Sequence, residues 1–199
     1  MQAKSGTPRW VAPVLGLVAL LLTLVAGGLF VADWSVRTIE MRNLVTAVEA
    51  SEETMVRTQE LVGEALAPFD VGGPLTPEET ALLRDQLTTI ARDARGAIEQ
   101  AGIAVAEVDV QPWHRAILDA QLAYLVHNQA WVSYMEKAAE DPVEFVNPQP
   151  IVDETFLIAE PLMKRAVPQP ALFDLDQRVA QIFIDGAPQE EPAAPGTAT

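Results

Sequence analysis

VAPVLGLVALLLTLVAGGLFVA, residues 11–32, carries no charged side chain. Wound as an α-helix, this run is about 33 Å long, enough to cross a bilayer hydrocarbon core of about 30 Å. Trp10 and Trp34 flank it, and the amphipathic indole favours the water–lipid boundary. The spacing predicts a transmembrane helix over residues 10–34 in contact with the lipid bilayer, and the rest of the chain is read outward from it.

Residues 1–9 contain Lys4 and Arg9 and no acid, and the first acid is Asp33. Positive charge is retained on the cytoplasmic side. The expectation is a single-pass signal anchor in the cell membrane, with a cytoplasmic N-terminus over residues 1–9 and an extracytoplasmic domain over 35–185. A cleaved signal peptide is the competing reading, because Ala26-Gly27-Gly28 offers small residues for cleavage. Signal peptides have apolar regions of about 7–15 residues, so the longer run favours an anchor that stays. With no cysteine, the chain cannot be lipidated as a bacterial lipoprotein. Gly16, Thr23, Gly27 and Gly28 are small residues that would let a second transmembrane helix approach.

The net charge is −15. Lys4 and Arg9 contribute +2, so residues 33–199 hold 11 basic and 28 acidic side chains, a balance of −17. Such a surface repels nucleic acid and anionic lipid headgroups; no nucleic-acid partner is expected, and an electrostatic protein partner should be basic. The lack of cysteine also rules out disulfides, thiolate metal sites and a cysteine nucleophile. Heavy use of Ala, Val and Pro points to a GC-rich bacterial genome.

Beyond the anchor the pattern is all-α. No Gly or Pro interrupts residues 35–62, and Met41, Leu44, Val45, Val48, Met55, Val56, Val62 and Leu66 recur at helical spacing. One helix is therefore expected to leave the membrane and continue to about residue 67. Ser51, Glu52, Thr58 and Gln59 interrupt its apolar seam. The expected reading is a seam drifting round the helix so that these reach water; the alternative is a ligand-facing patch or a polar layer that sets register.

Residues 68–74, with Gly72-Gly73, form a turn. Thr76, Pro77 and Glu79 have the spacing of a capping box with proline at the first helical position. The second helix then follows Leu83, Leu87, Ile90, Ala94, Ala97 and Ala101, with Gly102 expected to end it. Residues 103–111 read as a loop, and Pro112 as the start of a third helix. That helix has a seam of Trp113, Ile117, Ala120, Tyr124, His127, Trp131, Tyr134 and Ala138. A fourth helix over 151–166 contains Pro161, expected to kink or end it. A fifth covers about 171–185, and a Pro/Ala-rich tail over 186–199 lacks the apolar residues to order itself. The whole reads as an antiparallel, four-helix-like bundle.

Sets of residues that carry chemistry are scarce. Gln111 and Tyr124 stand where Glu would precede His114 and His127 in a di-iron Glu-x-x-His motif. The two histidines lie 13 residues apart and so face different sides of a helix. No nucleophile elbow, phosphate loop or zinc motif occurs. No catalytic, cofactor-binding or metal residues are expected, and the protein reads as a non-enzyme. His127, Tyr124, Trp131, Tyr134, Glu52 and Gln59 are the candidates for a polar core or ligand site. The acidic trio Glu49, Glu52 and Glu53 reads as a solvated face.

Over Trp10–Leu66 the layout resembles the extracytoplasmic four-helix sensor modules of chemoreceptors and histidine kinases. Those carry a second transmembrane segment and a cytoplasmic output domain that have no counterpart here, so the likeness is one of layout. The functional expectation is an accessory or scaffold subunit of a cell-envelope complex, with a protein partner or self-association. The alternative is a sensor-like module for a small molecule or ion.

Overall fold

The structure, a computed structural model, describes residues 11–69, 74–146 and 149–185. Residues 1–9, Trp10, Gly72-Gly73 and the tail from 186 lie outside these. Five helices account for nearly all of the described chain, and no strand occurs among the described residues. Helix α1 spans Val11–Leu66, α2 Pro77–Ala106, α3 Arg115–Glu140, α4 Pro150–Ala166 and α5 Leu175–Asp185. Two short 3₁₀ turns, Ala67–Phe69 and Pro142–Val146, follow α1 and α3.

α1 is unbroken for 56 residues. It is the one described helix long and apolar enough to cross a membrane. From Leu17 to Val31 its large side chains are all exposed, whereas Met41, Leu44, Val45 and Val48 are fully buried. One helix thus passes from a segment with no protein neighbours into the core. α2 packs against α1 and α3, α4 against α3, and α5 against α1 and α4. Cross-contacts give the directions. Glu40 meets His114 and Glu52 meets Tyr124, so α3 ascends with α1. Gln121 meets Val105 and Arg95 meets Glu136, so α2 descends beside α3.

The capping box forms as the spacing predicts. Thr76 Oγ1 accepts from the Glu79 amide at 3.2 Å, and the Thr76 amide donates to Glu79 Oε2 at 2.8 Å. The other end of α2 differs from expectation. Gly102 does not stop it, residues 103–106 are helical rather than loop, and the cap is Glu107. The buried line is Leu87, Ala91, Ala94, Ile98, Gly102 and Val105, while Ala97 is exposed. A strict 4-3 repeat advances faster than the 3.6-residue turn, and the seam slips by one position. Gly102 is there for packing: a Cβ on it would overlap the side chain of Asn128, meeting Oδ1 and coming within 2.9 Å of Cγ.

A test follows. Alanine is a better helix former by about 1 kcal/mol, but Asn128 would have to leave Ser51 and Ile98 to make room. Gly102→Ala should therefore lose about 1–3 kcal/mol net, read from denaturant midpoints. A gain in stability would show that Asn128 turns away freely.

α3 begins at Arg115, not Pro112. His114 takes the cap position, and Trp113 stands outside the helix, 66% exposed rather than on the seam. Pro161 sits inside α4, which continues to Ala166. α5 starts at Leu175, leaving Leu172 exposed. Phe173 and Asp174 have φ of 58° and 53°, a left-handed conformation unusual for a bulky residue, and Phe173 lies under Arg42 at 4.8 Å.

Candidate functional site

The hydrophobic core is in two parts. A large cluster surrounds Met41, Leu44, Val48, Ile117, Phe156 and Met163. A smaller one joins Met55, Ala94, Ile98, Val132 and Met135. Polar residues from three helices gather where the two meet. Ser51 and Glu52 come from α1, Tyr124, His127 and Asn128 from α3, and Thr155 from α4.

Hydrogen bonds tie the polar side chains of this layer together. Asn128 Nδ2 donates to Ser51 Oγ and to the Ile98 carbonyl, both at 3.1 Å. The Tyr124 hydroxyl donates to Glu52 Oε1 at 2.8 Å. Trp131 Nε1 lies 3.2 Å from His127 Nε2. An indole N–H can only donate, so Nε2 accepts and the ring proton resides on Nδ1. Nδ1–H then faces Thr155 Oγ1 at 3.1 Å. That hydroxyl lies 2.9 Å from the carbonyls of Ile151 and Val152. This chain of donors holds His127 neutral.

The electrostatics agree with the geometry. Burial lowers the His127 imidazole to about 4, a hydrogen bond with the Val152 carbonyl opposing it. Glu52 Oε1 is 3.8 Å from His127 Nε2 and gains no cationic partner there. Burial pushes the Glu52 carboxyl up to about 7, although the Tyr124 hydroxyl pulls the other way. The Tyr124 phenol is raised well above its usual range, by burial first and the nearby Glu52 charge second. Glu52 is thus a carboxyl able to hold or release a proton near neutral pH.

Glu52, Tyr124, His127 and Trp131 come together, and Trp131 packs against Tyr134, ring centroids 5.7 Å apart. Trp131 and Tyr134 are half-buried against the smaller core cluster. Gln59 is exposed and takes no part. The drift of the α1 seam into water holds for Gln59 alone. Ser51 and Thr58 are buried, and the Glu52 side chain is only 13% exposed. The acidic trio separates: Glu49 pairs with Arg178 of α5, Glu53 is exposed, and Glu52 turns inward. All three, with Arg178, line an open cleft of about 230 Å³.

A second polar centre has no counterpart in the sequence reading. His114 is buried, its side chain 1% exposed, with its two nitrogens between two carboxylates of α1. Nδ1 faces Glu40 Oε2, and Nε2 faces Asp33 Oδ1 at 3.1 Å. Glu40 also accepts from the Gln111 amide at 3.1 Å, and Asp33 pairs with Arg37 at 2.7 Å. Each ring nitrogen thus has a carboxylate oxygen within hydrogen-bond distance. Because the two carboxylates flank opposite sides of the ring, they cannot share one metal ion with it. Among the described residues no three His, Asp or Glu side chains converge as metal ligands. Trp34 Nε1 is the one buried side-chain donor among them without an acceptor.

No known protein family, curated protein or solved structure matches this chain.

Proposed function

We propose that this protein is a single-pass membrane protein whose outward-facing, antiparallel helical bundle serves as an accessory or scaffold subunit of a cell-envelope complex, without catalysis of its own. One observation carries the reading. Leu17, Val18, Leu20, Leu21, Leu22, Leu24, Val25, Leu29, Phe30 and Val31 are all exposed on α1. At about 1.5–3 kcal/mol for each side chain left in water, their exposure would cost on the order of 20 kcal/mol. A bilayer removes that cost, and Lys4 and Arg9 keep the N-terminus inside. The outward domain invests its buried polar groups in joining helices to one another.

The first test is on the anchor. Arginine at the centre of a span costs about 2.5–3.5 kcal/mol, so Leu21→Arg with Leu24→Arg should move the protein out of the carbonate-resistant membrane fraction. Retention of that variant would exclude a spanning α1. Crosslinking of the wild type in membranes, read by mass spectrometry, tests the scaffold role. A stoichiometric membrane partner is expected, and self-crosslinks alone would contradict it.

A second reading rests on Glu52, which joins the buried polar layer and also lines the open cleft with Glu49, Glu53 and Arg178. In that reading the domain binds a small molecule or ion there. Ligand-induced thermal stabilisation that disappears in Glu52→Gln would favour it over the scaffold role.

A further inference from the structure

We infer that the loop tip bearing Trp113 and Arg115 rests in the lipid headgroup layer beside α1, a second membrane contact separate from the span. This rests on the reading of α1 as a membrane anchor.

The height of the loop is fixed by its neighbour. His114 is held between Asp33 and Glu40 of α1. Asp33 is the first charged residue beyond the apolar run. Seven residues at 1.5 Å each separate Asp33 from Glu40, so His114 lies within about 10 Å of the end of that run. Headgroup layers add about 5–8 Å on each side of the hydrocarbon. Trp113, adjacent in sequence and edge-on to the His114 ring at 5.9 Å, is placed at that depth.

The chemistry at this level suits lipid. The Trp113 side chain is left out of both core clusters. An exposed indole gains most where its ring meets apolar chains and its N–H meets polar headgroups. Arg115, two residues on, is exposed, and a cation near the surface interacts favourably with headgroup phosphates. The apolar exposure of α1 also continues past Ala32 through Val36 and Ile39, level with the loop. α3 leads away from this end of the domain and α4 returns to it, so the loop before α3 and the 167–174 connection, whose Phe173 lies at Arg42, are the parts of the domain nearest the membrane. A net charge of −15 argues against a second copy as the occupant, since like surfaces repel.

The test uses the full chain in phosphatidylcholine vesicles, with tryptophan retained at one position at a time and phenylalanine at the others. Lipid bearing a nitroxide on its headgroup serves as quencher. Emission from the Trp113-only and Trp34-only proteins should fall by about half, while Trp131-only emission, which reports the core, stays unchanged. Trp113→Ala in an otherwise unaltered chain should reduce total headgroup quenching with the helical circular-dichroism signal intact, which guards against misfolding of the multiple variants. Quenching at Trp34 but not Trp113 would overturn the lipid seat and leave the anchor standing. Absence of quenching at Trp34 from headgroup-labelled and acyl-chain-brominated lipid alike would overturn both. Trp113 shielded from lipid quencher and from aqueous iodide together would mean that protein covers it, which also overturns the proposal.

Discussion

Replacing Glu40 with alanine is expected to cost the folded domain about 2–4 kcal/mol, because it strips the hydrogen-bond partner from a buried imidazole nitrogen and from a backbone amide, at about 1–3 kcal/mol each. The Glu40 side chain is 6% exposed and faces His114 Nδ1, itself buried. Its loss leaves that nitrogen without its partner and frees the Gln111 amide, so of these ties to α1 the loop before α3 keeps only the exposed contact with Asp33. Asp33→Ala should cost much less by comparison. Its side chain is 37% exposed, and water screens and replaces such partners. Urea titration of the full-length protein in mild detergent, followed by far-UV circular dichroism, reads both. A Glu40→Ala midpoint like that of the wild type would show that the cluster is solvated and clamps nothing.

The second large effect is hidden in the wild type and emerges in single variants. Glu52 has a folded pKa of about 7 against an ordinary 4.5. Between these values the native state keeps a proton that the unfolded chain has lost, so stability falls as pH rises from 4.5 to 7. Over that interval, at 1.36 kcal/mol per pH unit, the change is on the order of 3 kcal/mol. His127 works in the opposite sense. Its folded value of about 4 lies below its ordinary 6.5, so the unfolded chain takes up the extra proton and stability falls as pH drops from 6.5 to 4. Where the windows overlap, the two contributions cancel. His127→Leu should therefore become more stable relative to wild type as pH is lowered from 6.5 toward 4.5. Glu52→Gln should become less stable relative to wild type over the same range. Parallel curves for all three proteins would exclude the assigned protonation states.

The sequence pattern made the helices legible, and local rules located most of their ends. Residues 11–66 read as one helix because a uniform apolar run joins a helical period without a breaker. Thr76, Pro77 and Glu79 marked the start of α2 because a capping box is satisfied within four residues. Gly102 was misread because glycine marks both helix ends and close approaches, and only Asn128, on another helix, decides between them. The pairing of His114 could not be read because its partners stand 74 and 81 positions away. Beside the seam, next to Trp113, it resembled any residue near a helix start. His127 drew notice through its aromatic neighbours. Its tautomer is set by Trp131 one turn away, but Thr155, which faces its Nδ1–H, comes from a helix whose packing partner the periodicity did not name.

The continuity of α1 has a further consequence for what can approach the protein within the membrane plane. With no break between the apolar run and the domain, the azimuth of each exposed apolar residue of α1 is locked to that of the core. At 100° per residue, Gly16, Thr23 and Gly27 share one side of the rod, and Met41, Val45 and Val48 fall within about 40° of it. If α1 spans a bilayer, a transmembrane helix seated on those small residues would rise beneath α2, α3 and α5, the helices packed on α1, while the opposite side of the span would face lipid. Turning the apolar run about its axis would swing the whole domain through the same angle, so the rod fixes the bearing of the domain as well as its height.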